Sequence, residues 1–237
     1  MKQAIIYFLG FLFYSSVYSQ NDCKELLAKY VEDMGRISTP EVGKVYFLHM
    51  LIQNKYRNET HAVNNIEIKA CLTDSHMQMN SSLMQIYADT SDSFTIIPAT
   101  RQIVRREGIN FSGDTLQRQS LQMVQLDLIK NSTISRFKDY ENSREITLAP
   151  DLETSKRLNI SNIVLEYHFL RKQVSKVRIL YTKDSSVSEQ IIDYKELDFD
   201  SSFKLDKSTV ESMILTDSGS LKKEFSDYTL IDVKGNG

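Results

Sequence analysis

Four histidines are the first side chains to test for chemistry: His49, His61, His76 and His168. They lie far apart, and none forms the two-histidine pair that sets metal ligands on one helical face. Strand-borne histidines of this kind ordinarily serve structure. The carboxylates Asp198 and Asp200 could share acid–base work, but the polar stretch 198–202 reads as a solvated turn. There is no G-x-S-x-G elbow, phosphate loop or dinucleotide fingerprint, and the chain has only 8 glycines and 3 prolines. Arg101, Arg105 and Arg106 form the one basic cluster, able to meet an anion or a headgroup, with a solvated strand edge as the plainer reading. The expectation is a non-enzymatic chain with no catalytic residue, no metal and no cofactor.

The two cysteines depend on compartment for their meaning. Residues 1–20 read MKQAIIYFLGFLFYSSVYSQ: one positive charge, the apolar run Ala4–Tyr14, then small and polar residues. That run is too short to span a bilayer and has the length of a signal-peptide core. Cleavage after Ser19 is expected, making 1–19 a signal peptide and 20–237 a single exported domain, with a membrane anchor as the alternative. An oxidising compartment lets Cys23 and Cys71 bridge, closing a loop of about 50 residues and stabilising by about 4 kcal/mol in the loop-entropy model. Two buried free thiols are the alternative.

The elements that must position any site follow from periodicity. Asp22 and Glu25 make a capping box, and Cys23, Leu26, Leu27, Tyr30, Val31 and Met34 repeat on one helical face up to Gly35. Short strand-like stretches follow at 44–54, 61–72, 76–79, 83–88, 94–97 and 101–106, separated by turn clusters. A second helix is expected from Asp114 to about Lys130, with Leu121, Val124 and Leu128 on one side. Strands resume at 133–138, 144–148, 160–170, 173–182, 188–199 and 228–233, and Ser208 with Glu211 caps a short helix to Leu215. The stretch 45–52 is apolar on both faces, so both need cover.

Charge gives no help with a partner. The chain carries 29 basic and 31 acidic residues, a net −2, and loses one more positive charge with Lys2. Nucleic acid is therefore not an expected partner. What remains is apolar surface. Met34, Met50, Met77, Met79, Met84 and Met123 fall on the two helices and the first strands, and methionine favours surfaces that adapt to varied apolar ligands, with the filling of core gaps as the alternative. The candidate cavity is lined by Leu27, Tyr30, Met34, Phe47, Met50, Met77, Met79, Met84, Leu121, Met123, Val124 and Leu128.

In element order the chain resembles the periplasmic lipoprotein carrier superfamily (LolA/LolB-like), in the divergent form of Bacteroidetes-type bacteria. The quoted echoes are Asn110-Phe111-Ser112-Gly113-Asp114, Leu126-Asp127-Leu128-Ile129-Lys130, Glu145-Ile146-Thr147-Leu148-Ala149-Pro150 and Ser226–Asp232. The resemblance implies an α+β, mainly β fold: an incomplete antiparallel β-barrel, a strongly curved sheet with helices over its concave face. It further implies acyl chains held between sheet and lid, in a periplasmic carrier of lipid or lipidated protein that works as a monomer. An envelope protein-interaction module on the same fold, with no lipid cargo, is the alternative.

Overall fold

Alternation of β-branched or aromatic residues with polar ones sets most of this chain to extended backbone. The computed structural model describes residues 22–37, 39–57, 64–109, 128–203, 205 and 208–234. The signal-peptide reading, His61 and most of the second helix, including Leu121, Met123 and Val124, lie outside them.

Helix α1 spans 22–37. The strands are β1 (Tyr46–Tyr56), β2 (Asn64–Leu72), β3 (His76–Ser81), β4 (Gln85–Asp89), β5 (Asp92–Ile97), β6 (Gln102–Glu107), β7 (Ser132–Asp139), β8 (Ser143–Pro150), β9 (Ile160–His168), β10 (Gln173–Tyr181), β11 (Val187–Asp198) and β12 (Thr229–Asp232). Short helices α2 (Leu152–Leu158) and α3 (Val210–Ile214) complete the set, with a helical turn at 128–130. All the strands lie in one curved, unclosed sheet, in the order β12-β6-β5-β4-β3-β2-β1-β11-β10-β9-β8-β7. Its two antiparallel meanders join where β1 pairs with β11, with a register shift between His49 and Met50 that bends the strand. The short β12 pairs in parallel with β6, so β6 is an interior strand rather than an edge.

Register decides the faces. Ala70, Met79 and Ile86 are direct partners across β2, β3 and β4, and so share one face. Tyr87, Phe94 and Arg105 are partners across β4, β5 and β6 on the other. The first face carries the larger core. There α1 sets Cys23, Tyr30, Met34 and Ile37 against Tyr46, Leu48, Ile52, Ile146, Leu148, Leu165, Val177, Ile192 and Tyr194, joined by Leu128 and Ile129. Each fully buried side chain of this size stabilises by about 1.5–3 kcal/mol relative to exposure. The opposite face carries a smaller core, where Val210, Ile214 and Leu215 cover Phe94, Ile96 and Ile103. Helical cover is thus on both faces, at different parts of the sheet.

Three readings change here. The Cys23–Cys71 bridge is corrected, since both thiols are free and buried. Cys23 lies in the α1 core, with its Sγ 3.9 Å from Arg144 Nη1 on β8. Cys71 pairs with Phe47 on the other face and stands several strands away. Burial raises both thiols, Cys71 to about 11, so neither is a reactive thiolate at neutral pH. We expect the native protein to resist a thiol-specific chromophoric reagent and to release two thiols only after unfolding, with thermal stability unchanged by reductant.

In the basic cluster Arg101 and Arg105 are held by carboxylates, while Arg106 is exposed. Arg105 is held by Asp92 at 2.8 Å, Glu211 at 2.7 Å and Asp232 at 3.6 Å, tying α3 and β12 to the sheet. Arg101 takes a left-handed conformation, φ 52°, and pairs with Asp227 at 3.5 Å. The third change is α2, which the periodicity did not reveal. Asp151 accepts from Thr154 N at 2.7 Å, and Asn159 closes the helix at φ 55°. Only Thr154 of its residues is buried, so no apolar stripe marks it.

Candidate functional site

The strongest constraint on the α1 face is a buried hydroxyl pair. Tyr30 Oη and Tyr194 Oη stand 3.2 Å apart, and Tyr194 also donates to Met34 Sδ at 3.7 Å. Burial pushes the Tyr30 hydroxyl well above the usual phenol range; burial likewise raises Tyr194, to about 12, with its bond to Tyr30 pulling back. Both stay neutral and bind α1 to β11 without carrying charge. Nearby, Asp33 is buried on α1 with Lys29 at 3.6 Å, and burial holds its carboxyl above the ordinary range despite that partner. Farther along α1, the Arg36 guanidinium lies 4.2 Å over the Phe199 ring.

The candidate cavity residues divide into five groups. Tyr30, Met34 and Leu128 are fully buried, so side chains fill the space beneath that part of α1. Leu27, Met50, Met77 and Met79 are half-buried and pack against the same core. Met84, half-buried at the β3–β4 turn, precedes Ile86 at the same parity. Phe47 must be withdrawn: it lies on the opposite face, its ring 6.0 Å from that of Phe203. Leu121, Met123 and Val124 fall outside the described residues. Phe203 answers the expectation that the second apolar face of 45–52 needs cover.

What the structure brings together is therefore an apolar strip. Met50 pairs with Ile68, Met77 with Leu72 and Ala88, and Met79 with Ala70 and Ile86. The strip continues the α1 core along β1–β4 with side chains that remain part-exposed. Thioether side chains can repack there around a flexible apolar ligand.

Polar chemistry is thin by comparison. A cleft of about 430 Å³, bounded by Gly43–Val45, Thr73–His76, Phe203 and Leu205, holds the contact Ser75 Oγ to His76 Nδ1 at 3.0 Å. The same turn has Thr73 Oγ1 accepting from the backbone of Ser75 and His76, which is hairpin geometry. This cleft lies at the β2–β3 turn and the approach to β1. His49 bonds Glu67 at 2.7 Å on an exposed surface, and Asp198 accepts from Asp200 N at 3.0 Å, closing the turn expected there. Among the described residues, no three His, Cys, Asp or Glu side chains gather as a metal site would require. The sequence reading missed Tyr194, although Ile192 and Tyr194 alternate with Asp193 and Lys195 as core and solvent residues do.

No family model matches the chain, and no curated protein does. Solved structures similar to it include a LolA superfamily protein from Nitrosomonas europaea, at 10% identity and TM-score 0.30, covering 72% of this chain and 91% of that one. A DUF1329 family protein from Desulfovibrio piger matches at 10% identity and TM-score 0.35, over 76% and 95% of the two chains. A conserved protein from Thermus thermophilus matches at 4% identity and TM-score 0.41, over 86% and 98%. The first bears the name of the superfamily whose pattern the sequence resembles. The functional reading rests on the side chains above.

Proposed function

We propose that this chain is an exported, non-enzymatic binder or carrier of acyl chains, from a lipid or a lipidated protein of the periplasm. The supporting observation is the strip Met50, Met77 and Met79, half-buried on the α1 face and continuous with its core. An acyl chain laid along it loses water contact at about 0.8 kcal/mol per methylene, which suffices for capture without a catalytic group. Release needs only an acceptor that competes for the same apolar surface. The filled packing around Tyr30, Met34 and Tyr194 favours a second reading, an envelope protein-interaction module with no lipid cargo.

One titration separates them. Dansyl-undecanoic acid should bind the exported protein saturably, and Met77→Ser with Met79→Ser should weaken that binding about tenfold or more through lost apolar contact. Unchanged thermal unfolding of the variant would show that its fold survives. No saturable binding by the wild type, or equal binding by the variant, would leave the interaction module standing.

A further inference from the structure

The strand directions sort the exposed apolar side chains between two ends of the sheet. The β7–β8 and β9–β10 turns lie at one end, beside the β2–β3 turn and the approach to β1. Val42, Tyr140, Phe169, Leu170, Phe203 and Val233 stand exposed at that end, whereas Leu83 and Leu152 stand at the other. Within the crowded end, two hairpin tips form a corner, because Phe169 N donates to Asn142 O at 3.0 Å. Tyr140, Phe169 and Leu170 crown this corner, Leu170 being 80% exposed. Cations stand beside them: Lys138, its Nζ 4.8 Å from the Tyr140 ring centre, with exposed Arg171 and Lys172, while of the exposed acids in the same tip Asp139 is paired with Arg144, next to Glu141.

The start of α1 reaches the same corner. Asp22 Oδ2 is 3.7 Å from Arg144 Nη1 at the beginning of β8.

We propose that this corner docks on a lipid bilayer, with Phe169 and Leu170 entering the interface and Lys138, Arg171 and Lys172 meeting anionic headgroups. An apolar tip flanked by long cationic side chains suits the boundary between acyl chains and headgroups. The attraction is local, because the whole chain is net −2. The corner uses none of the methionines of the acyl-binding strip, so either reading can fail alone.

The test is co-sedimentation of the exported protein, purified as the cell processes it, with vesicles of phosphatidylcholine alone or mixed with phosphatidylglycerol. Mixed vesicles should bind better, and added salt should weaken the difference. Phe169→Glu with Leu170→Glu should reduce binding about tenfold or more, while Leu152→Glu at the far end leaves it within about twofold. Circular dichroism checks that these surface variants stay folded. The proposal is overturned if the double variant binds like wild type, if Leu152→Glu weakens binding equally, or if wild type binds neither vesicle. A wild-type dimer that the double variant dissolves would overturn it too, by placing a second copy on the corner.

Discussion

Replacing Tyr30 with alanine lowers the unfolding free energy by about 3–5 kcal/mol, the range for deleting a buried aromatic side chain. Tyr30 is 1% exposed and lies where α1 meets β11. Its loss opens a cavity beside Met34 and takes a hydroxyl partner from Tyr194. Tyr30→Phe keeps the ring and removes only the hydroxyl, so it should cost about 1 kcal/mol. Urea unfolding provides the measurement, read as a fall in midpoint at constant slope. Near-equal midpoints for the alanine and phenylalanine variants would mean that the ring is not packed as described.

The second large effect belongs to Asp89 and the opposite face. Its carboxylate accepts Ser91 N at 2.7 Å, Asp92 N at 2.8 Å and Val210 N at 2.9 Å, the last fastening α3 to the β4–β5 turn. Gly108 passes the same turn so closely that a Cβ there would stand 2.3 Å from the Thr90 carbonyl carbon. Asp89→Ala leaves these donors without their acceptor, at about 1–3 kcal/mol for each that stays buried, or about 3 kcal/mol in all. Hydrogen exchange of the α3 amides should quicken more than that of α1.

The same carboxylate sets a pH window. Burial by itself would raise Asp89, but the donors from Val210, Asp92 and Ser91 outweigh it and hold the group below its ordinary value of 3.8. A depressed folded value stabilises the native state above the unfolded value and loses that stabilisation as pH falls through the folded one. The wild type should therefore weaken below about pH 4 more steeply than Asp89→Asn, which has no carboxylate to protonate. Parallel acid-unfolding curves for the two proteins would refute this assignment.

Much of the architecture was legible because strands and amphipathic helices carry their own periods. The α1 face Cys23, Leu26, Leu27, Tyr30, Val31 and Met34 is the face that packs. Every stretch predicted as a strand overlaps one. Helix α2 escaped because its seven residues bury one threonine and are set by the Asp151 cap and the Asn159 turn. The candidate site was legible only in part. Met50, Met77 and Met79 share the face of α1, whereas Phe47 does not, because 45–52 is apolar throughout and its composition leaves the parity open. The parity of Cys71 was available, since it follows Glu67 and Lys69 rather than Ile66, Ile68 and Ala70.

The amino-acid sequence by itself determined the period of each element, the apolar face of α1 and the lack of any short-range catalytic constellation. These properties depend on neighbours within a turn or two of chain. The tertiary structure decided which strands pair, that β12 runs parallel to β6, that α3 covers the face opposite α1, and that Cys23 and Cys71 stand apart. Those outcomes depend on contacts between residues distant in sequence: Tyr30 with Tyr194, Asp89 with Val210, Arg105 with Glu211. A local pattern states that a surface must be buried; only the closed set of long-range contacts determines what buries it.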